Sequence, residues 1–436
     1  MSAAAGPRRA GDAAGLRVAF LVYRGNPHCG GQGVYTRHLT RELTALGHRV
    51  TVFSGQPYPR LVDGVELVRV PSLDLYREPE PFRRPRAREI ETSLDALELA
   101  TMLTGGFPEP RTFSLRAARL LAPRRAEFDL VHDDQSLGTG LLRMLGAGWP
   151  VVASIHHPVE VDRDVDLAHA PGLARRVQLR RWYGFSAMQA RVARRLPGIL
   201  TVSRSSRDDI VARLGVDPRR VAVVPVGVDP RLHRPVPGVA REPGLLMTTA
   251  SADVPMKGLA PLLEALAKVR TDHPETRLVV VGRLREKSPV ASVLARLGLE
   301  GAVEFVAGDS DEELVVRYAR ASVAVVPSLY EGFSLPAAEA MACGVPLVAT
   351  SGGAIPEVAG EDGGTALLVP PGDPEALAAA IRRLLDDPDL AARIGVAGRE
   401  RVLERFTWRA TAIGTAERYA ALLDARRAGA ARRAPC

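Results

Sequence analysis

Two series of short apolar segments, separated by stretches of helical periodicity, constrain the fold of this chain more than any other feature. Short apolar runs without strict alternation are typical of parallel strands that are covered on both faces. The first series lies before a proline-rich stretch at 231–244, and the second lies after it. Strands are predicted at 16–23, 49–55, 65–70, 128–132, 151–155, 198–203 and 221–227, and again at 245–250, 277–282, 303–308, 322–328, 345–351 and 366–370.

The proline-rich stretch divides the chain into two α/β units. A chain of 436 residues is also longer than one hydrophobic core usually accommodates. We therefore predict two doubly wound domains in tandem, at 16–230 and 245–408, joined by a linker at 231–244. Residues 75–125 interrupt the alternation and are predicted to be an insertion in the first domain. Ligands of such sheets bind at the carboxyl ends of the strands, so the cleft between the domains is the expected site.

The ends of the chain and its cysteines indicate the compartment. Residues 1–15 have arginines but no apolar core of a signal peptide, and we predict that they are disordered. No stretch approaches the ~18 apolar residues of a membrane-spanning helix. Cys29, Cys343 and Cys436 are odd in number and far apart, which excludes a disulfide framework and a zinc knuckle. We expect a cytoplasmic protein.

The positive charge of the chain lies in its first half. Residues 1–230 contain 33 Lys and Arg against 24 Asp and Glu. A basic surface suits nucleic acid, an anionic membrane or a phosphorylated substrate. The aromatic residues are not interleaved with the basic ones as nucleic-acid stacking platforms are, so we expect no nucleic-acid partner.

The densest basic stretch is 173–196, with aromatic residues near its middle. It is predicted to be a helix whose arginines meet anionic groups, either a phosphorylated acceptor or acidic lipid at the inner face of the membrane. The alternative is a helix packed on the sheet, with its arginines in solvent.

Two glutamates lie where a strand of the second domain ends. Glu331 falls in the predicted loop after the strand at 322–328, and Glu339 lies about one turn into the helix that follows. Carboxylates accept hydrogen bonds from a polyhydroxylated ligand, and the free N–H groups of a helix start suit a diphosphate. The arrangement indicates a sugar-nucleotide site, and the alternative is two solvated glutamates.

The first domain contributes a glycine-rich loop and a pair of histidines. Gly30, Gly31 and Gly33 follow the first strand and allow the backbone to approach a diphosphate or an acceptor, although a plain tight turn explains them equally well. His156 ends a strand and is expected to face the cleft. Adjacent side chains of a continuing strand point opposite ways, so His157 is predicted either to support the site without contacting the ligand or to be structural.

Together these motifs resemble the retaining glycosyltransferases of the family 4 type, which have the GT-B fold of two Rossmann-like domains. The resemblance spans nearly the whole chain. It is carried by SLYEGFSLPAAEAMACGVPLVATSGGAIPEV at 328–358 and by LTRELTALGHRVTVF, SIHHP, LTVSRSSRDDI, VAVVPVGVDP, Met256-Lys257-Gly258, LLVPPGDPEALAAAI and Arg405-Phe406-Thr407-Trp408. It implies that the last helix, at 409–430, packs back on the first domain.

The resemblance also implies roles for individual residues. Glu339 is expected to bind the ribose of the nucleotide, Glu331 the hydroxyls of the donor sugar, and Lys257 the diphosphate. His156 is expected to contact the donor sugar. Backbone groups near the sugar and phosphate are expected from Gly332, Phe333, Ser334 and Leu335.

One departure from the family pattern concerns a phosphate-binding arginine. The family usually has it five or six residues before the lysine, where this chain has Ala252 or Ser251. Arg283, in the loop after the strand at 277–282, is a candidate replacement, and a solvated surface arginine is the alternative.

A metal ion is not expected. Asp162, Asp164 and Asp166 form a D-x-D-x-D pattern that suits a divalent ion in another glycosyltransferase fold. The family resembled here uses cations and helix dipoles instead, so we interpret the three as solvated loop acids. No cofactor is expected apart from the UDP- or GDP-sugar, which is a co-substrate.

The predicted function is transfer of a sugar from a UDP- or GDP-sugar to the hydroxyl of a small molecule, glycan or lipid, with retention. The departing phosphate is expected to help deprotonate the acceptor. The alternatives are a related GT-B glycan synthase or epimerase, and a sugar-nucleotide-binding protein without turnover. An NAD-dependent dehydrogenase is disfavoured, because the first loop lacks G-x-G-x-x-G and the second strand lacks a terminal acid.

Overall fold

Two parallel sheets with helices on both faces confirm the predicted α/β class and its two doubly wound domains. The computed structural model describes residues 15–26, 31–77, 79–250, 254–284, 288–308 and 310–431. Of the segment predicted to be disordered, 1–15, all but the last residue lies outside the described residues.

The first sheet has seven strands in the order β3-β2-β1-β4-β5-β6-β7. Its strands are β1 (Arg17–Val22), β2 (Arg49–Ser54), β3 (Glu66–Arg69), β4 (Leu130–Asp134), β5 (Val151–Ile155), β6 (Gly198–Thr201) and β7 (Val221–Val223). The helices of this domain are α1 (Gly31–Ala45), α2 (Ser93–Leu103), α3 (Glu109–Leu121), α4 (Thr139–Gly146), α5 (Val159–Ala168), α6 (Leu173–Trp182), α7 (Ser186–Ala193) and α8 (Arg204–Leu214). The strand order reverses between β1 and β4, which places a ligand-binding crevice at their carboxyl ends.

The second sheet has six strands in the order β10-β9-β8-β11-β12-β13. Its strands are β8 (Glu242–Thr249), β9 (Arg277–Val281), β10 (Val303–Val306), β11 (Ala321–Val326), β12 (Leu347–Thr350) and β13 (Leu367–Val369). The remaining helices are α9 (Leu259–Val269), α10 (Pro289–Leu297), α11 (Asp311–Arg320), α12 (Leu335–Ala342), α13 (Ile355–Ala359), α14 (Pro374–Asp386), α15 (Pro388–Arg405) and α16 (Trp408–Ala431).

The central strands are buried because their apolar runs are covered on both faces. Every residue of β4 and β5 is buried, and so are residues 18–22 of β1. The final helix, α16, crosses to the first domain and packs against α1. Its Tyr419 is fully buried and lies 2.5 Å from the Nδ1 atom of His132 in β4. The carboxyl-terminal helix is therefore part of the core of the first domain.

The prediction of one helix over 173–196 is wrong. Helix α6 ends at Trp182, a short 3-10 turn occupies Tyr183–Phe185, and α7 starts at Ser186. In α6 only Leu179 is buried, so its arginines are exposed. Over the described parts of the chain, no helix combines the length and the apolar character that a bilayer crossing requires.

The segment at 75–125 contains α2 and α3, and α3 packs against α4. It places a carboxyl group in the protein interior. Glu109 at the start of α3 is buried, and burial raises its pKa to about 8, although the Nε atom of Arg24 lies 3.5 Å from its Oε2 atom. At neutral pH, Glu109 is therefore mainly protonated in the native state and ionised in the unfolded chain.

We predict that the stability lost between pH 5 and pH 8 is smaller in Glu109→Gln than in the native chain. Because the pKa of Glu109 is raised by folding, its stabilising contribution is complete at low pH and is lost toward pH 8, by at most about 1.4 kcal/mol per pH unit. The midpoint of urea unfolding at each pH measures this change. The exposed Glu91→Gln in the same segment is the control, and parallel curves for Glu109→Gln and the native chain would contradict the assignment.

Candidate active site

The two domains touch where the loop before α12 meets the end of β5. The Oγ atom of Ser203 donates a hydrogen bond of 2.7 Å to the carbonyl of Gly332. The Oγ atom of Ser206 lies 2.8 Å from the His156 carbonyl and 3.1 Å from the Gly332 carbonyl. A Cβ atom on Gly332 would lie only 2.7 Å from the His156 carbonyl oxygen, so this close approach requires glycine. The contact brings residues of both domains to one cleft.

On the second domain, Lys257 and Glu331 form an ion pair. The Nζ atom of Lys257 lies 2.8 Å from the Oε1 atom of Glu331, which also accepts a hydrogen bond of 2.7 Å from the Oγ atom of Ser328. Lys257 belongs to a 3-10 turn before α9, and Gly258 follows with φ of 65°. A Cβ atom at Gly258 would lie 1.9 Å from the carbonyl oxygen of Pro327, so glycine lets the lysine turn lie against the end of β11.

The loop between β11 and α12 ends in a strained residue. Ser334 has φ of 89°, which is uncommon for a residue with a side chain, and its Oγ atom accepts a hydrogen bond from the N–H of Ala337. Helix α12 starts at Leu335, as predicted, and its first N–H groups lie next to the Glu331 loop. Phe333 is buried against Phe406, with ring centroids 5.5 Å apart, so only its backbone is available to a ligand.

Glu339 lies within α12 and is largely buried. Burial raises the pKa of its carboxyl group, and the nearby charge of His233 opposes this effect. The Nε2 atom of His233 lies 3.9 Å from its Oε1 atom, and the hydroxyl of Tyr318 lies 3.5 Å from its Oε2 atom. His233 belongs to the segment that connects the two sheets. The carboxylate of Glu339 therefore lies in low-dielectric surroundings, and its neighbouring polar groups are distant, at 3.5 and 3.9 Å.

On the first domain, His156 is held by a buried acid that the sequence analysis missed. Its Nε2 atom lies 2.7 Å from the Oδ1 atom of Asp134, which is fully buried. The Oδ2 atom of Asp134 has no hydrogen-bond partner among the described residues. The ring of Tyr35 meets the His156 ring edge-to-face at 4.7 Å. The buried carboxylate therefore fixes the orientation of the imidazole through Oδ1.

His157 also lies at the cleft. Strand β5 ends at Ile155, as predicted, so the alternation of a continuing strand does not separate His157 from His156. Its Nε2 atom lies 2.9 Å from the Oδ2 atom of Asp162 in α5. Burial alone would lower the pKa of His157, but Asp162 and the nearby charge of Glu331 raise it above its ordinary value. His157 and Glu331 therefore interact electrostatically across the two domains.

A buried polar network lies beneath these histidines. The Nε2 atom of His132 lies 2.7 Å from the Oγ atom of Ser154, which lies 3.1 Å from the hydroxyl of Tyr35. The Nδ1 atom of His132 faces Tyr419 of α16, and burial lowers the pKa of His132 to about 3. The imidazole of His132 is therefore neutral at physiological pH, and the network joins α16 to the Tyr35 ring beside His156.

The glycine-rich loop is only partly described. Gly30 lies outside the described residues, and Gly31 begins α1 in an exposed position. A Cβ atom on Gly33 would lie 1.9 Å from the carbonyl oxygen of Asn26, so the close packing of α1 on the loop requires glycine there. Strand β1, which precedes the loop, ends at the same edge of the sheet as β4 and β5.

Among the described residues, the candidate phosphate-binding arginine and the three acids of the D-x-D-x-D pattern make no hydrogen bond or ion pair with Lys257 or Glu331. Arg283 is exposed in the loop after β9, and Ser251 and Ala252 lie outside the described residues. Of the D-x-D-x-D acids, which lie in α5 rather than in a loop, Asp162 pairs with His157, Asp164 with Arg163 and Arg213, and Asp166 with Tyr183. In the parts of the chain that the structure describes, no group of three or more His, Cys, Asp or Glu side chains has the arrangement of a metal site.

Comparison with known proteins gives two family matches that together span most of the chain. Residues 29–232 match "Glycosyltransferase Family 4", and residues 238–401 match "Glycosyl transferases group 1". A protein of Mycolicibacterium hassiacum named MMP alpha-(1->4)-mannosyltransferase is 53% identical over 405 residues, which cover 93% of this chain and 98% of that protein. A D-inositol 3-phosphate glycosyltransferase of Streptomyces scabiei is 30% identical, over 94% of this chain and 92% of that protein.

Solved structures show the same fold. The sucrose-phosphate synthase of Thermosynechococcus elongatus matches with a TM-score of 0.72 and 24% identity, over 94% of this chain and 100% of that one. The Anabaena protein HepE, solved in complex with UDP and glucose, matches with a TM-score of 0.69 and 20% identity, over 93% of this chain and 99% of that one.

We predict that Gly332→Ala displaces the two domains at their contact. The added Cβ atom meets a backbone oxygen, so the hydrogen bonds from Ser203 and Ser206 must lengthen, at a cost of about 1–3 kcal/mol. Thermal unfolding and a crystal structure of the variant measure the effect. Gly301→Ala, where no atom lies within 4 Å of the added Cβ, is the matched control. Equal stability of the two variants would contradict the prediction.

Proposed function

The chain belongs to the family 4 glycosyltransferases of the GT-B fold, and on this premise we propose that it transfers mannose, with retention, from a nucleoside-diphosphate donor to a sugar hydroxyl. The observation that carries the proposal is the Lys257–Glu331 ion pair, which lies beside Gly332, where the loop meets the His156 carbonyl of the other domain. It combines a cation for the diphosphate with a carboxylate for the donor sugar at one place.

The mannosyl donor and the sugar acceptor are proposed from the 53% identical relative. Its printed name describes an alpha-(1->4)-mannosyltransferase. A (1→4) linkage ends on the oxygen at position 4 of the acceptor, so an enzyme of that name acts on a ring that bears such a hydroxyl. Identity of this extent over nearly the full length of both chains supports the same class of donor and acceptor here.

Lys257 and the start of α12 are proposed to hold the diphosphate. Without a donor, the carboxylate of Glu331 and the ammonium of Lys257 neutralise each other. A diphosphate placed at the N-terminus of α12 gives Lys257 a second anionic partner, and Glu331 can then accept hydrogen bonds from the hydroxyls of the sugar. The fixed cation and the N–H groups stabilise the charge that develops on the leaving diphosphate.

Glu339 is proposed to bind the two hydroxyls of the ribose. Its carboxylate is buried, and a ribose diol supplies the two donors that its oxygens require. His156 is proposed to contact the donor sugar from the first domain, in the orientation that Asp134 fixes.

The transfer step is proposed to occur on one face of the sugar. The bond between the anomeric carbon and the diphosphate oxygen breaks, the acceptor oxygen bonds to the same carbon, and the proton of the acceptor passes to the departing diphosphate. Glu331 and Glu339 are engaged with hydroxyls in this assignment, so neither acts as the paired carboxylate of a glycoside hydrolase. The donor phosphate therefore serves as the base.

We predict different effects for the two glutamates. Glu339→Ala should weaken binding of the nucleoside diphosphate, GDP or UDP, about ten- to a hundredfold, because a charged hydrogen bond to the ribose is lost. Glu331→Ala should lower mannose transfer from GDP- or UDP-mannose by a similar factor and change binding of the nucleoside diphosphate less. Thermal shifts with GDP and UDP, together with transfer rates, measure both quantities. The exposed Glu300→Ala is the control, and native turnover in both variants would refute the site.

We also predict that transfer continues in EDTA and that Lys257→Ala lowers it by about two orders of magnitude, because one preorganised charge is removed from an anionic transition state. Lys268→Ala is a matched control, since Lys268 pairs with Glu375 at the surface of the second domain. Loss of transfer in EDTA and its recovery with Mn²⁺ or Mg²⁺ would contradict the metal-independent proposal.

A further inference from the structure

A groove on the first domain has no part in the site described above. It has a volume of about 250 Å³ and lies between the 75–125 segment and helices α5 and α6. Its lining combines aromatic and apolar side chains with polar ones, and includes Phe82, Met102, Asp166, Arg175, Gln178 and Trp182. The ring of Phe82 is 58% exposed, so an aromatic face is open to solvent at the groove.

A chain of aromatic contacts connects the groove with the end of β1. Tyr23 directly follows β1, and its ring lies 6.5 Å from the ring of Phe107. Phe107 lies 5.0 Å from Trp182, and Trp182 lies 6.0 Å from Phe82. Tyr76 contacts both Phe82 and Trp182, at 5.4 and 5.5 Å. The groove therefore has rigid ring walls that are continuous with the strand end at the cleft.

The polar groups of the groove are balanced in charge. Arg175 donates a hydrogen bond of 2.8 Å to the Oε1 atom of Gln178, and Asp166 accepts one of 2.8 Å from the hydroxyl of Tyr183. One acid, one base and one amide provide both donors and acceptors without a net charge. Ring faces combined with such groups suit a neutral, polyhydroxylated ring, which presents apolar C–H faces and a polar edge.

Helix α5 connects the groove with the catalytic cleft. Asp162 holds His157 at the cleft, and Asp166 lies four residues later, on the same side of the helix and about 6 Å along its axis. The groove and the site of His157 therefore adjoin the same helix, about one turn apart.

We propose that this groove binds a pyranose unit of an oligosaccharide acceptor, at a distance from the reacting hydroxyl. The inference rests on the proposed transfer to a sugar acceptor and extends it to a glycan of more than one unit. The ring of Trp182 stacks on one face of the pyranose, and Arg175, Gln178 and Asp166 contact its hydroxyls.

Direct binding tests the proposal without turnover. Trp149 and Trp408 are both 3% exposed, whereas Trp182 is partly exposed and lines the groove. Titration with α-(1→4)-linked mannotetraose or maltotetraose should change the tryptophan emission of the native chain. The change should disappear in Trp182→Phe and should not depend on salt, because the ligand is neutral. Absence of a response to both tetrasaccharides would overturn the proposal.

Kinetics provide a second test. Trp182→Ala should raise the KM for mannotetraose by about tenfold and leave the KM for methyl α-mannoside within about twofold of the native value. Arg175→Ala and Gln178→Ala, at exposed positions that cannot disturb the core, should raise the KM for mannotetraose by about fivefold. Val177→Ala, which is exposed on the same helix, is the matched control. Equal effects on the two acceptors would overturn the proposal.

Two further outcomes separate this inference from others. Hydrolysis of GDP- or UDP-mannose in the absence of an acceptor should be unchanged in the groove variants. If the native chain neither hydrolyses nor transfers any GDP- or UDP-sugar, the proposed function itself is refuted. The chain could instead float with phosphatidylglycerol vesicles in a salt-sensitive way, lose this flotation in Trp182→Ala, and give no response to oligosaccharides. That result would assign the groove to a membrane surface and overturn the glycan proposal.

Discussion

The close approach of Gly332 to the His156 carbonyl is the constraint on which the candidate site depends. It leaves no room for a Cβ atom, and two serine hydroxyls from the first domain hold the Gly332 carbonyl. Because Gly332 directly follows Glu331, this contact also fixes how far Lys257 and Glu331 lie from the histidines. A shift of the backbone at Gly332 would therefore change the distance between the Lys257–Glu331 pair and the histidines.

The polar side chains of this cleft are paired with one another in the structure. Lys257 neutralises Glu331, and Asp134 holds His156 but keeps one carboxylate oxygen without a partner among the described residues. Buried charge without partners is costly, so such pairs keep a polar cleft stable before the substrate binds. In the proposed function, the diphosphate and the sugar meet groups that are already oriented.

Sequence patterns predicted the strands, the two-domain order and the glutamates around α12, because each depends on local periodicity or on a short motif. They missed Asp134, which ends an apolar strand and meets His156 from 22 residues away. They also separated His157 from the site by the alternation of a continuing strand, which does not extend beyond Ile155. The break at Tyr183–Phe185 was missed for a similar reason, because arginine spacing alone does not show where a helix ends.

The final helix, α16, stabilises the part of the first domain that carries the cleft histidines. Tyr419 of α16 reaches His132 in β4, and Trp408 at the start of α16 stacks on His38 of α1, with ring centroids 5.1 Å apart. Burial lowers the pKa of His132 to about 3 and of His38 to about 4, so both imidazoles stay uncharged inside the domain. The hydrogen bonds of neutral His132 and the stacking of neutral His38 on Trp408 stabilise the packing of α16 without the cost of burying charge. Helix α16, which follows the second domain in the chain, thus completes the core of the first domain.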